Sequence, residues 1–338
     1  MQEIVQQPTG QRQIPDGAGS GLFLRWRRWE LLLLIVAVAI FIFNSFASPY
    51  FLNVWNLSDA TFNFTEKAII AFAMTLLIIA GDIDLSVASI IAIASTAMGA
   101  AAAAGAGAPE LVAIGLAVGL AAGAFNGFLV TRFALPSIVV TIGTMSLYRG
   151  LSYVILGDQV YRSYPAEFAY FGQGYVWWVF SFEFVLFLIL AAIFGIVLHL
   201  TVFGRRIYAI GNNPVAAQFS GVRVDRIRFI LFLLTGLMSG VASILLTSRI
   251  GSTRPTIATG FELEVVTMAV LGGVNILGGS GTIPGVLIAA FVMGLVTYGF
   301  GLLNVPGIVM SIFVGSLLIL VIALPILLQR LANLRRSA

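Results

Sequence analysis

The chain has 338 residues, of which 59% are hydrophobic and 9% charged, with a net charge of +4 at neutral pH. Soluble domains carry about 25% charged residues, so this composition, with a mean hydropathy of +1.03, excludes a cytosolic enzyme and leaves no room for a fused ATPase or receptor domain. With no cysteine and one histidine, His199, it also excludes disulfides, thiol nucleophiles, iron–sulfur clusters and zinc or haem sites.

The sequence reads as an all-α integral membrane protein. A polar leader, residues 1–29, precedes the first apolar run, 30–47. That leader is long for the charged region of a secretory signal, so the run is expected to be a retained span. Apolar runs of membrane length follow at 64–80, 85–104, 111–131, 137–156, 183–203, 229–248, 263–278, 284–303 and 306–328, giving about ten transmembrane helices at about 20 residues each. Pro136, Pro284 and Pro306 sit at run starts, where a missing N–H costs a helix nothing. A transmembrane domain is expected over 30–328 and a basic tail over 329–338.

Ten spans place both termini on one side. Arg12, Arg25, Arg27, Arg28, Arg132, Arg205, Arg206, Arg223, Arg226, Arg228, Arg330, Arg335 and Arg336 then share the side of the termini, against Lys67, Arg162, Arg249 and Arg254 on the other. That asymmetry assigns the termini to the cytoplasm. The basic balance is therefore a topology signal, and no nucleic-acid partner is expected.

Along the chain, Gly81-Asp82-Ile83-Asp84-Leu85-Ser86 forms a tight cytoplasmic-side hinge between two spans. Asp84 or Ser86 suits the cap and the positive dipole end of the following helix, or else a gate or substrate contact. Gly115, Gly119, Gly123 and Gly127 recur every fourth residue, and Gly236 and Gly240 repeat the spacing; such stripes let helix backbones approach closely, in static packing or at a moving interface. Arg149 lies inside a span, either snorkelling outward or lining a polar path. The outer loop 157–182 is rich in Tyr, Phe and Trp, as in an interfacial belt, and its charges, with Arg249, Arg254 and Glu262, could dock an external partner.

The longest internal cytoplasmic loop, 204–228, carries a bracketed helix: Asn213 can cap, Pro214 can open and Gly221 can end it. Val215 to Ser220 then forms a short surface helix suited to a partner's groove or to the membrane surface. Small Ala217 at its centre is expected to let it seat. The glycine-rich turn Leu271 to Gly285, with Asn275, either exposes backbone toward a cavity or packs tightly. It has no lysine, since the one lysine of the chain, Lys67, lies far from it, so a nucleotide-binding P-loop is absent.

These motifs resemble one family. Gly81 to Ser86 looks like the G-G-I-D-L-S signature of simple-sugar permeases of ABC importers, the ribose, xylose, rhamnose and autoinducer-2 permeases, with Asp82 where the usual motif has its second glycine. Ala209 to Val222 resembles their cytoplasmic coupling segment, and Thr141 to Gly150, Gly260 to Glu264 and Gly272 to Gly285 match in order and spacing. The resemblance covers essentially residues 30–328 and implies a type II importer-like permease in a bacterial inner membrane. It implies two cytoplasmic ATP-binding subunits, a second permease (identical or related), an extracytoplasmic solute-binding protein and a sugar-like substrate. The permease itself is implied to hydrolyse no ATP and to hold no cofactor. It implies coupling through Gly211, Asn212, Asn213, Pro214, Ala216, Ala217 and Gly221. For the gate or path the candidates are Asp82, Asp84, Ser86, Arg149 and Asn275, and for binding-protein docking Arg162, Arg249, Arg254 and Glu262. The competing reading is an ion-coupled secondary transporter or facilitative channel for a small polar solute.

Overall fold

A computed structural model describes residues 18–320, except Asp158, together with Ala323. The expected C-terminal tail and the first 17 residues lie outside it. Helices run in the order α1 (Ala18–Ala47), α2 (Val54–Phe62), α3 (Thr65–Ile79), α4 (Val87–Ala103), α5 (Ala108–Phe133), α6 (Ser137–Leu156), a short α7 (Tyr170–Gln173) and α8 (Phe182–Leu200). Then come α9 (Val202–Asn212), α10 (Pro214–Phe219), α11 (Val224–Ile250), α12 (Phe261–Leu271), α13 (Ile283–Leu302) and α14 (Gly307–Leu320). The described strands are a small antiparallel hairpin, β1 (Tyr175–Trp177) with β2 (Phe180–Ser181), in the loop before α8.

Among the described residues, six helices are each long and apolar enough to cross a membrane: the part of α1 from Trp29, α5, α6, α8, α11 and α13. The pair α2–α3, bent by 47°, makes a seventh. α4, with 17 residues, and the described part of α14 are apolar but shorter. The expected count of about ten is thus not reached by this measure. The first span runs from Trp29 to Ala47, within a residue of the expected 30–47, and its helix extends back to at least Ala18. One boundary is corrected outright. The run 263–278 is helical only to Leu271, because Gly273, Gly278 and Gly279 adopt positive φ and break it into a turn.

The core is a stack of helices around α3, whose residues from Ala68 to Ile79 are nearly all inaccessible. Phe72 and Phe187 stack at 5.4 Å and Phe64 meets Phe187 edge-on at 5.7 Å, which ties α3 to α8. The glycine stripes meet face to face. A Cβ built on Gly119 would stand 2.6 Å from the Gly236 carbonyl, and one on Gly236 only 2.4 Å from that of Gly119. Gly123 and Gly240 extend the same contact, so α5 and α11 touch backbone to backbone.

The bundle has two ends. At one, Trp29 donates to the Leu271 carbonyl (2.9 Å), and the Gly279 N–H donates to that of Ile79 (2.9 Å). At the other, Tyr161 and Thr253 form a backbone bridge, Ser95 and Thr253 share a hydroxyl contact at 2.6 Å, and Asn44 reaches the Leu295 carbonyl. The first end carries the exposed arginines Arg205, Arg206, Arg223 and Arg226.

Candidate coupling site and path

At the arginine-bearing end the sequence builds the bracketed helix as expected. Asn213 caps α10 by accepting from the Ala216 N–H (3.0 Å), Pro214 opens it, and Gly221 follows it at φ +83°. Asn213 also ends a separate helix, α9, which the sequence reading left inside a loop. Thr201 starts α9 by accepting from the Gly204 N–H (3.2 Å), so the preceding span stops at Leu200, not 203.

The two faces of α10 differ. Phe219 is 89% exposed and Val215 59%, while Ala217 is buried in the chain's own core. Ala217, expected to let the helix seat in a groove, packs α10 onto the rest of the chain, and the protruding residues are Phe219 and Val215. Ala216 lies on the exposed side.

What holds this unit is a backbone joint. Gly211, in the last turn of α9, lies so close to Ile79 that a Cβ would stand 1.8 Å from its carbonyl oxygen and 2.4 Å from the Gly279 nitrogen. Asn212 donates to the Gly279 carbonyl (3.2 Å) and to that of Tyr208 (2.8 Å). Tyr208 donates to the Gly281 carbonyl at 2.6 Å, and burial pushes its phenol up to about 12, so it remains a donor at any physiological pH. α9, the glycine-rich turn and the end of α3 therefore form one block. Ile79, Tyr208 and Gly279 were not singled out from the sequence; only the glycine density of the turn signalled a close approach.

Asn275, a path candidate, shapes that turn: its side chain accepts from the Leu277 N–H (3.1 Å), its backbone pairs with Ser280, and it is exposed. Leu277 beside it is 84% exposed.

The hinge follows directly from the block. Gly81 turns the chain at φ +91°. Asp82 lies 3.1 Å from the Arg228 guanidinium of α11 in an ion pair outside hydrogen-bond geometry. Asp84 is fully buried and accepts from the Ser86 N–H (2.8 Å) and hydroxyl (2.6 Å), with Asn126 of α5 donating to its other oxygen at 3.3 Å. Asn126 also donates to Ser86 (2.8 Å) and accepts from Tyr148 of α6 (3.1 Å). Asp84 thus caps the turn before α4 and knots α4, α5 and α6 together; Asn126 and Tyr148 carried no signal in the sequence beyond being polar groups within a span.

Arg149 of α6 points to the opposite end and donates to the carbonyls of Pro255 (2.6 Å) and Ile257 (2.8 Å). It staples the loop 251–260, which makes it an anchor for that loop. On the same end Arg162 and Arg254 are exposed, and Glu262 accepts from the Gly260 N–H (3.2 Å). Arg249 differs from the expectation of a free docking charge. It forks onto fully buried Glu66 at 2.8 and 3.0 Å, and fully buried Glu183 belongs to the same charge cluster. Lys67 pairs with Glu264 at 2.6 Å.

Comparison with known proteins fits this layout. Residues 56–322 match the family described as branched-chain amino acid transport system / permease component. The chain is 34% identical over 330 residues to the L-arabinose ABC transporter permease protein AraH of Azospirillum brasilense, covering 94% of each chain. It is 31% identical to the ribose import permease protein RbsC of Bacillus subtilis (87% of this chain, 90% of that one). It is 32% identical to the autoinducer 2 import system permease protein LsrD of Klebsiella pneumoniae, with the same coverage. No solved structure matches. A membrane-length helical bundle, matched over most of its length by the permease model and by three permeases, places this chain in that permease family.

Proposed function

We propose that the chain forms the membrane path of an ABC importer for a monosaccharide or sugar-like solute. The family description names amino acids, whereas AraH, RbsC and LsrD are named for arabinose, ribose and autoinducer 2, and these relatives extend over nearly the whole chain. The observation that carries the reading is the joint at Gly211. α9, which leads directly into α10 and its exposed Phe219, is fixed by backbone contact at Gly211 to the end of α3, two residues before the Gly81 hinge. In this reading two separate cytoplasmic ATP-binding subunits take Phe219 and Val215 into a groove. When they close on ATP, α9–α10 moves as a rigid lever and pulls on Ile79 and Gly279. The hinge Gly81–Ser86, with Asp82 and Asp84, then transmits the motion to α4 and its partners α5 and α6.

The arginine-bearing end faces the cytoplasm of a bacterial inner-membrane assembly that contains a second permease. The far end, with Arg162, Arg254 and Glu262, receives an extracytoplasmic binding protein. The test is co-purification of the ATP-binding subunits with Phe219→Ala and Phe219→Glu variants, alongside sugar uptake. Retained co-purification and uptake in both would move the coupling contact elsewhere.

A further inference from the structure

At the end of the bundle that carries the 251–260 loop, a cavity of about 440 Å³ opens between α3, α12, α13 and α14. Its size falls within the roughly 300–1,000 Å³ of small-molecule sites. Its polar lining comprises Asn63, Lys67, Glu264, Thr297, Tyr298 and Ser311. The Lys67 ammonium spends one donor on Glu264 (2.6 Å) and rests 4.6 Å above the Phe261 ring, which leaves donors and carboxylate lone pairs for a guest.

The glycines of the wall supply an independent observation. Gly301, Gly307 and Gly315 line the cavity, yet a Cβ built on any of them would meet nothing within 4 Å. On the α5–α11 seam, by contrast, packing demands the glycines: neighbouring backbone stands 2.4–2.6 Å from a Cβ built at Gly119 or Gly236. Within a helix glycine is a weak former, and no protein atom needs its smallness at these three positions. The space they leave belongs to the cavity.

We infer that this cavity is a binding site for a monosaccharide in its ring form on the outer half of the permease. Ring hydroxyls would meet the ion pair, the Asn63 amide and the wall hydroxyls, and the apolar face of the ring would lie on Leu263 and Met310. This deepens the proposed function and rests on it for the choice of sugar. An acyl chain would gain nothing from a buried-edge ion pair, and a lipid occupant is kept as an outcome of the test.

The chain contains no cysteine, so Ser311→Cys introduces a single thiol into the wall. The complete transporter carrying Ser311→Cys would be reconstituted in vesicles and treated with a membrane-impermeant methanethiosulfonate. The probe is whichever of D-ribose, L-arabinose or D-xylose the wild-type vesicles accumulate. Labelling slowed at least threefold by that sugar, and not by equal mannitol, is the expected result. Labelling by a lipid-soluble maleimide alone, with no sugar protection, would identify a lipid groove and overturn the inference. As a second variant, Gly315→Leu puts a side chain into the cavity at a position where a Cβ meets no atom within 4 Å. It should cut uptake at least tenfold at unchanged yield and thermal stability, and normal uptake would overturn the site. Wild-type uptake that ignores ATP would sink the importer reading instead, while leaving sugar protection of the thiol to stand or fall by itself.

Discussion

Replacing Gly211 with alanine tests the joint between α9 and the hinge. The new methyl would sit 1.8 Å from the Ile79 oxygen, 2.4 Å from the Gly279 nitrogen and 3.0 Å from the Gly279 Cα. All three are backbone atoms, so no side chain can swing away. Ordinary carbon contacts begin near 3.5 Å, so α9 must withdraw by up to about 1.7 Å. That withdrawal strains the Asn212 bond to Gly279 and the Gly279 bond to Ile79. Overpacking costs about 1–3 kcal/mol, and each loosened hydrogen bond adds about 0.5–1.5 kcal/mol. A total near 2–6 kcal/mol is large enough to unseat α9 locally while the α5–α11 seam stays packed. The assay combines detergent-solubilised yield, thermal midpoint, ATPase-subunit co-purification and uptake. Near-normal yield with a lowered midpoint and uptake reduced at least tenfold is expected. As a control, Gly221→Ala meets no atom within 4 Å and is strained only by its φ of +83°, so it should cost about 1 kcal/mol. If Gly211→Ala matched wild type in midpoint and uptake, the close joint would not exist.

Phe219→Ala should leave the thermal midpoint unchanged, since the ring is 89% exposed, yet weaken ATPase-subunit binding by about 2 kcal/mol, the scale of an interface anchor, read by titration of the purified subunit. Arg249→Gln should behave as a stability variant and not as a docking variant: leaving Glu66 buried without its guanidinium should cost about 3–5 kcal/mol, visible as lost yield. Charge reversal at exposed Arg162 and Arg254 should leave yield intact and weaken stimulation of the ATPase by loaded binding protein. Asp84→Asn turns one acceptor toward the Ser86 and Asn126 donors into a donor, so uptake should fall while membrane abundance persists. Tyr164, buried and bonded to the Thr253 hydroxyl, has its phenol pushed up to about 12. Its folded value lies above the ordinary value near 10, so its stabilisation is present below about pH 10 and lost as pH rises toward 12; Tyr164→Phe should flatten the thermal midpoint over that window.

Features with a local cause were legible in the sequence. The caps around α10 act over a few residues, and the glycine stripes of α5 and α11 repeat at the helix period, so both could be read from spacing. The hinge glycine at 81 and its flanking carboxylates belong to the same class. Features made by distant pairing were not legible. Glu66, Lys67, Glu183, Arg249 and Glu264 read as outer-face charges because each lies at a span end, yet their partners stand about two hundred residues away in the chain for the Glu66–Arg249 and Lys67–Glu264 pairs. Pairing lets such charges sink below the surface. Ala217 read as a groove-seating residue, but composition cannot tell which face of a six-residue helix turns inward. The end of α12 at Leu271 was missed for a different reason: Val274, Ile276 and Leu277 keep the hydropathy high while the positive-φ glycines break the helix.

The central claim is that motion reaches this chain from ATP hydrolysed by separate subunits. Its most direct measurement is uptake of a radiolabelled pentose into vesicles holding the purified permease, binding protein inside the assay medium, with and without the ATP-binding subunits. The account predicts accumulation only when those subunits and internal ATP are both present, unaffected by collapsing proton and sodium gradients. Accumulation driven by an ion gradient in vesicles that contain the permease alone would contradict it.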